Sequence, residues 1–171
     1  MYGEAPTKPV IMAVHGRCFT AGLELVLSAD LCIAAEDTVF GQQEVAHGIM
    51  ALGGATVRLP RRAGWGNAMR YLLTGDQFDA AEAWRMGIVQ EVVPRGEQFE
   101  RALELARRIA AQAPLAVQAT LADARAAVAG PVAASAASLR GDVIPRLLAT
   151  SDAREGVAAL LERRRPIYTG S

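Results

Sequence analysis

The sequence changes character near residue 95, and this change limits the chain to an α/β core followed by helices. Before it, short apolar runs alternate with helical segments and glycine-containing turns. From about residue 96 onward the pattern is almost entirely helical and rich in Ala and Arg. Alternating strands and helices followed by helices alone indicate an α/β fold with a helical tail. We therefore predict a core over residues 1–95 and a helical region over residues 96–171.

The predicted core elements are short and are separated by Gly, Pro and capping residues. Thr20 and Asp79 have the side chains of N-cap residues, each just before a helical pattern. Strands are predicted over 9–14, 30–35, 38–41 and 88–93, and helices over 21–29, 67–73 and 80–86. In the second half, Pro114, Gly130-Pro131 and Ser151-Asp152 mark joints between helices. The helices are predicted over 97–112, 115–128, 132–149 and 152–164.

Composition excludes several classes of protein. Lys+Arg and Asp+Glu both number 18, so the net charge gives no reason to propose a nucleic-acid partner. The most apolar stretches are interrupted by acidic residues and are too short to span a membrane. The N-terminus has no basic and apolar signal segment. Cys18 and Cys32 lack metal-ligand spacing and are interpreted as buried free thiols. A cytoplasmic protein without a metal site is expected.

Two carboxylates stand alone in apolar surroundings. Glu24 is the only acidic side chain between Arg17 and Asp30, and Glu44 is the only formal charge between Thr38 and Val57. Burying a carboxylate is costly unless it is paired or protonated, and a buried carboxyl group can serve as a general acid or base. Two simpler interpretations remain open. Glu24 suits the first turn of any helix, and Glu44 fits a solvent-facing loop.

The predicted helix start at Ala21-Gly22 is a possible anion site. The first N–H groups of a helix have no intrahelical acceptor, and small residues allow a ligand oxygen to approach them. Such groups can stabilise a developing oxyanion. Taken alone, close helix packing is the better explanation of the same small residues.

These residues together form a pattern that resembles the enoyl-CoA hydratase/isomerase (crotonase) family, and the resemblance covers nearly the whole chain. It begins with the stretch Lys8 to Gly16, continues through Thr20 to Leu25, and includes Phe40 to Glu44. The other matching stretches are Ala29 to Leu31, Gly53 to Pro60, Leu73 to Gly75, Asp79 to Ala83, Gly87 to Val89, Val92 to Pro94, Asp152 to Gly156 and Arg163 to Gly170.

The resemblance implies a fold and a reaction. The fold is a partial crotonase spiral of ββα units with a C-terminal helical region that packs trimers together, so a homotrimer or a hexamer is expected. Ala21 corresponds to an oxyanion-hole N–H donor, Gly22 to its small neighbour, and Glu24 and Glu44 to the two catalytic glutamates. The implied reaction is syn addition of water to a 2-trans-enoyl-CoA, with acyl-CoA as substrate and no metal or redox cofactor required. Because both glutamates are present, hydration is favoured over the isomerase and other acyl-CoA reactions of the family.

The chain also departs from the family pattern. His15 and Thr20-Ala21-Gly22 stand where Asn and three glycines are common, and residues 51–55 replace Pro-Gly-Ala-Gly-Gly, which alters the pocket floor. His47 is assigned no catalytic role. The family's first strand and helix units, which supply the second oxyanion N–H and much of the CoA pocket, have no counterpart here. A split reading frame, a second chain or a partial sequence would each explain this, and a non-catalytic remnant or assembly subunit remains an alternative to the enzyme.

Overall fold

The computed structural model describes residues 6–129 and 142–171 and divides into two units, Met1–Leu105 and Ala106–Ser171. In chain order the elements of the first part are β1 Ile11–Val14, β2 Arg17–Phe19, α1 Ala21–Ser28, β3 Leu31–Ala35, β4 Val39–Gly41, a 3-10 turn Glu44–His47, α2 Ala55–Ala63, α3 Trp65–Thr74, β5 Gln77–Asp79, α4 Ala80–Arg85 and β6 Glu91–Val93. They are followed by α5 Gln98–Ala110, α6 Pro114–Ala129, α7 Ile144–Leu148 and α8 Ser151–Glu162.

The first unit is built from two successive passes of strand, strand and helix. The first strands of the two passes, β1 and β3, pair in parallel, with Ile11 opposite Leu31. The second strands, β2 and β4, also pair in parallel, with Cys18 opposite Phe40. Each pass therefore adds one strand to each of two sheets, of order β1-β3-β6 and β2-β4-β5. The helices that end the passes, α1 and α2, pack against each other.

The core of this unit lies under α1 and α2. Strand β3 is a continuous apolar run, as expected for a strand covered on both faces, and its last four residues are buried. Helix α1 buries Leu23, Val26 and Leu27. Helix α2 buries Ala55, Leu59 and Ala63, which recur every four residues and so share one face. This packing fixes the N-terminal ends of both helices, where the candidate site lies.

The C-terminal tail of the second unit is fastened to α8 by two carboxylates. Asp152 accepts hydrogen bonds from the backbone N–H groups of Thr169, at 2.8 Å, and Gly170, at 2.9 Å. One turn later, Glu155 accepts from Arg164 and from the N–H of Ile167. None of the helices within residues 6–129 and 142–171 combines the length and the apolar character needed to cross a bilayer.

Several predicted elements differ from the structure. Asp79 caps α4 as predicted, because its side chain accepts a hydrogen bond from the N–H of Glu82. Thr20 does precede α1, but its side chain does not cap the helix. The strand predicted over 88–93 is confined to Glu91–Val93, and β2, β5 and α2 were not predicted. Of the helix predicted over 132–149, the residues up to 141, like the joint at Gly130-Pro131, lie outside the described part.

Candidate active site

The N-terminus of α1 is set by an unusual backbone conformation at Thr20. Its φ of 48° and ψ of −114° lie outside the regions that β-branched residues normally adopt. The conformation is held by two hydrogen bonds: the N–H of Thr20 donates to Gly41 O at 2.8 Å, and its carbonyl accepts from the N–H of Glu24 at 3.0 Å. Ala21 follows as the first helical residue and is exposed. Its N–H is one of those that a helix leaves without an intrahelical acceptor.

Gly22 is not required by packing within the described residues. A Cβ built at this position would meet Cys18 Sγ at 3.5 Å, an ordinary contact, and no closer atom. Close helix packing, the simpler interpretation of the Ala21-Gly22 pair, is therefore not what the surroundings of Gly22 demand. The small residue leaves space beside the exposed N-terminus of α1, where a ligand oxygen can approach.

Glu24 lies in the first turn of α1 and is buried, with 3% of its surface exposed. Its Oε1 accepts a hydrogen bond from the N–H of Ala55, the first residue of α2, at 3.1 Å. The carboxylate thus lies at the N-termini of two helices, and each helix dipole stabilises negative charge there. This arrangement offsets part of the cost of burying the carboxylate and fixes its position.

Glu44 begins the 3-10 turn and is held by the side chain of Gln42. The Nε2 of Gln42 donates to Glu44 Oε1 at 2.7 Å. The remaining oxygens of the pair, Gln42 Oε1 and Glu44 Oε2, are both buried and have no hydrogen-bond partner within the described part of the chain. Since buried acceptors are normally satisfied, these two oxygens form a site for a molecule that donates hydrogen bonds.

An open cavity of about 320 Å³ lies beside this pair. Its polar lining comes from Gln42, Glu44 and Thr56. The rest of the lining is apolar and consists of Trp65 together with Val45, Met50, Ala51, Met69, Leu72 and Leu73. The volume lies at the small end of the range found for small-molecule sites, and an apolar wall with a few polar groups is typical of such sites.

The segment 51–56 lies close to both carboxylates. Its residues Ala51 and Thr56 line the cavity together with Glu44. Between them, Ala55 donates its N–H to Glu24. Glu24 therefore contacts this segment directly without lining the cavity, whereas Glu44 shares the cavity with it. His47, to which no role was assigned, is exposed.

Gln42 was missed by the sequence analysis, which searched for isolated charges. The signal was an amide directly after the buried strand β4 and two residues before Glu44. In the structure it is 2% exposed, as deeply buried as Glu24 at 3%. An amide that combines such burial with an unpartnered oxygen is a candidate functional group.

Known proteins resemble this chain over almost its entire length. Residues 5–171 match the family model described as Enoyl-CoA hydratase/isomerase. An enoyl-CoA hydratase of Mycobacterium tuberculosis is 38% identical over 97% of this chain. The 2,3-dehydroadipyl-CoA hydratase of Escherichia coli is 37% identical over 98% of it. The chain spans 62% and 65% of the lengths of these two relatives.

A crystal structure shares the fold. A probable enoyl-CoA hydratase/isomerase from Mycobacterium abscessus superimposes with a TM-score of 0.96 at 50% sequence identity, over 99% of this chain and 65% of that one. The predicted fold, a partial spiral of ββα units, is confirmed by this match.

Proposed function

The chain belongs to the enoyl-CoA hydratase/isomerase family, and we propose that it catalyses the hydration of a 2-trans-enoyl-CoA to a 3-hydroxyacyl-CoA. The observation that carries the proposal is the position of its two isolated glutamates. The segment 51–56 donates a backbone N–H to Glu24 and lines the cavity that Glu44 also lines. Two carboxylates can share the proton transfers of water addition, since one proton must leave the water and one must reach carbon.

In the proposed mechanism the backbone of α1 stabilises the developing charge. The thioester carbonyl of the substrate accepts a hydrogen bond from the N–H of Ala21, with Gly22 leaving room for it. When water adds to C3, electrons move through C2 onto the thioester oxygen. An N–H group fixed in advance at that point lowers the barrier because it does not have to reorganise. The thioester itself serves as the electron sink, so the proposal includes no metal or redox cofactor.

Glu24 and Glu44 handle the protons. Between them they hold the attacking water, take one of its protons and deliver a proton to C2, while the hydroxyl group bonds to C3. Gln42 supports this step by holding Glu44 Oε1, so that Glu44 Oε2 is left to accept from the water. Gln42 Oε1, which has no partner among the residues that the structure describes, offers the same water a second acceptor.

The test is the loss of absorbance of crotonyl-CoA in the presence of the full chain. Glu24→Gln and Glu44→Gln should each abolish the loss, because glutamine keeps the size and a hydrogen-bonding oxygen but cannot exchange a proton. Glu36→Gln, at an exposed position, is the matched control and should keep the parent rate. If the two site variants retain that rate, the assigned roles are wrong.

A homotrimer or a hexamer is proposed as the assembly. The second unit has large apolar side chains in and after α8 that are between 60% and 79% exposed, namely Val157, Leu160, Leu161 and Ile167. Exposed apolar surface of this kind is common at subunit interfaces. Light scattering that gives the mass of a stable monomer would contradict the proposal.

We also propose a cytoplasmic location. Cys18 and Cys32 are free and buried, and burial raises the pKa of the Cys18 thiol to about 11 and that of Cys32 to about 12. Such protonated thiols are unreactive, and it is the presence of free cysteines rather than a disulfide that suits a reducing compartment. Recovery of the activity in the periplasmic or secreted fraction of the source cells would contradict this location.

A further inference from the structure

The cavity beside Glu44 has a few polar groups in a mostly apolar wall. Gln42, Glu44 and Thr56 supply hydrogen-bonding groups, whereas Met50, Trp65 and Met69 are among the side chains that supply apolar surface. A ligand that fits this lining has its reacting atoms near Glu44 and an apolar extension. For an enoyl-CoA, which the proposed function requires, the acyl chain supplies both, with C2 and C3 near Glu44 and the later carbons along the apolar wall.

The length of the wall indicates how long this chain is. The lining residues Trp65 and Leu73 lie two turns apart on α3, which separates them by about 12 Å along the helix axis. A four-carbon acyl group has three C–C bonds of about 1.5 Å and so cannot exceed about 5 Å. A crotonyl group would leave more than half of this wall uncovered, whereas a chain of about eight carbons would cover most of it.

The charges around the cavity restrict the end of the chain. Among the described residues that line it, the one charged side chain is Glu44, which repels a second carboxylate. A carboxylate at the far end of the acyl chain would lose its water without gaining a cationic partner, which is costly. The relative from Escherichia coli is named for such a substrate, 2,3-dehydroadipyl-CoA.

We propose that the cavity selects an uncharged acyl chain of about eight carbons, and that Trp65 and Leu73 contribute to this selection. This inference rests on the proposed function, because it names the substrate class of the same site. It predicts that this chain disfavours the kind of substrate for which the relative from Escherichia coli is named.

Binding of saturated acyl-CoAs tests the inference without requiring catalysis. Trp65 lines the cavity and is 72% exposed, and the only other tryptophan is Trp84. In the Trp84→Phe variant, the fluorescence of Trp65 reports contact with the acyl chain. The affinity should rise from butyryl-CoA through hexanoyl-CoA to octanoyl-CoA, by up to about fourfold for each methylene that enters the cavity. Adipyl-CoA should bind at least about tenfold more weakly than hexanoyl-CoA.

A substitution at the end of α3 away from Glu44 tests the role of charge. At the other end of α3, a Cβ built at Gly75 would meet Val45 and Gln43, which flank Glu44. Binding is measured here by calorimetry, because the substitution removes the fluorophore. Trp65→Lys, compared with Trp65→Gln, adds a cation at a 72% exposed position without disturbing the core. It should improve the affinity for adipyl-CoA relative to hexanoyl-CoA by about three- to fivefold. Phe99→Lys is the matched control, at a 63% exposed position on α5 outside the cavity lining. It should leave this ratio unchanged.

The outcomes separate the inference from the proposed function. An affinity that rises with chain length and falls for adipyl-CoA supports the inference, and if crotonyl-CoA is not hydrated by the same protein, the function alone is overturned. Hydration of crotonyl-CoA with no gain from longer chains, or equal binding of adipyl-CoA and hexanoyl-CoA, overturns the inference and leaves the function standing. Failure of all these acyl-CoAs to alter Trp65 fluorescence also overturns the inference.

Discussion

Replacing Gln42 with leucine separates a functional role of this amide from a structural one. The substitution removes the hydrogen bond from Nε2 to Glu44 Oε1, which measures 2.7 Å. It puts an apolar side chain of similar size in place of the amide. It also removes a buried oxygen that has no partner among the described residues. The lost hydrogen bond lowers the free energy of unfolding and the removed oxygen raises it, so we expect Gln42→Leu to impair catalysis with little net change in stability.

The size of the effect follows from the kind of hydrogen bond. A hydrogen bond to a charged group contributes about 1.5–3 kcal/mol, and 1.4 kcal/mol corresponds to a factor of ten in rate. If the bond to Glu44 is needed in full at the transition state, kcat falls about 10- to 100-fold. Because Gln42 touches Glu44 and the water rather than the thioester, KM should change little.

The assay combines steady-state hydration of crotonyl-CoA with unfolding in urea. Gln43→Leu, one residue along the chain, is the matched control, because it makes the same change while leaving the bond between Gln42 and Glu44 intact. We expect the parent kcat for the control and a free energy of unfolding within about 1 kcal/mol of the parent value for Gln42→Leu. A variant that unfolds more easily yet keeps its kcat would refute the reasoning, since the amide would then serve the fold alone.

Three further predictions concern the surroundings of the site and the stability of the first unit. Thr20→Gly should raise the free energy of unfolding, measured in urea, by about 1 kcal/mol. Glycine relieves the backbone strain at a φ of 48°, about 1–3 kcal/mol, and this gain exceeds its entropic cost of about 0.5–1 kcal/mol. A loss of stability would contradict this. Gly22→Ala should raise the melting temperature, because alanine favours the helix and the new Cβ meets Cys18 Sγ at an ordinary distance of 3.5 Å. The same methyl group should lower the hydration rate by about tenfold or more, because it crowds the thioester oxygen. An unchanged rate would argue against an oxyanion site at this helix. Hydrogen bonding from Arg85 is the main cause that lowers the pKa of Glu82 to about 2. The ionised Glu82 therefore contributes to the free energy of unfolding above pH 4.5, and this contribution is lost as the pH falls toward 2. Urea unfolding of Glu82→Gln across that range should show a weaker dependence on pH than the parent, and identical curves would exclude the contribution.

The sequence predicted the elements whose signals are local. The strand at 9–14 and the helix at 21–29 appear within two residues of their predicted bounds, because each is a single apolar or helical run with a clear start. Strand β2 has three residues and is defined by its pairing with β4, which no local pattern reveals. Strand β5 likewise depends on antiparallel pairing with β4.

Helix α2 was missed for a different reason. Pro60 lies in its interior, and proline normally ends a helix because it removes a hydrogen bond. Here the buried face formed by Ala55, Leu59 and Ala63 stabilises the helix in spite of that loss. Its N-terminus receives the carboxylate of Glu24, a contact between residues 31 positions apart that sequence patterns do not indicate.

The sequence pointed to the two glutamates of the candidate site, Glu24 and Glu44, but not to its glutamine, Gln42. Glu24 and Glu44 stand out as charges in apolar runs, and the structure finds the first buried and the second with a buried oxygen. Gln42 carries no charge, so its role depends on the geometry of its hydrogen bond to Glu44. The catalytic roles of all three residues stay predictions until variants are measured.

A crystal structure of the full chain with bound 3-hydroxybutyryl-CoA, the hydration product of crotonyl-CoA, tests the proposed mechanism most directly. The mechanism places the 3-hydroxyl group within hydrogen-bond reach, about 2.6–3.2 Å, of both Glu24 and Glu44. It also places the thioester oxygen about 2.7–3.1 Å from the N–H of Ala21. A complex in which the hydroxyl group meets only one of these carboxylates, or in which the thioester lies away from the N-terminus of α1, would contradict it.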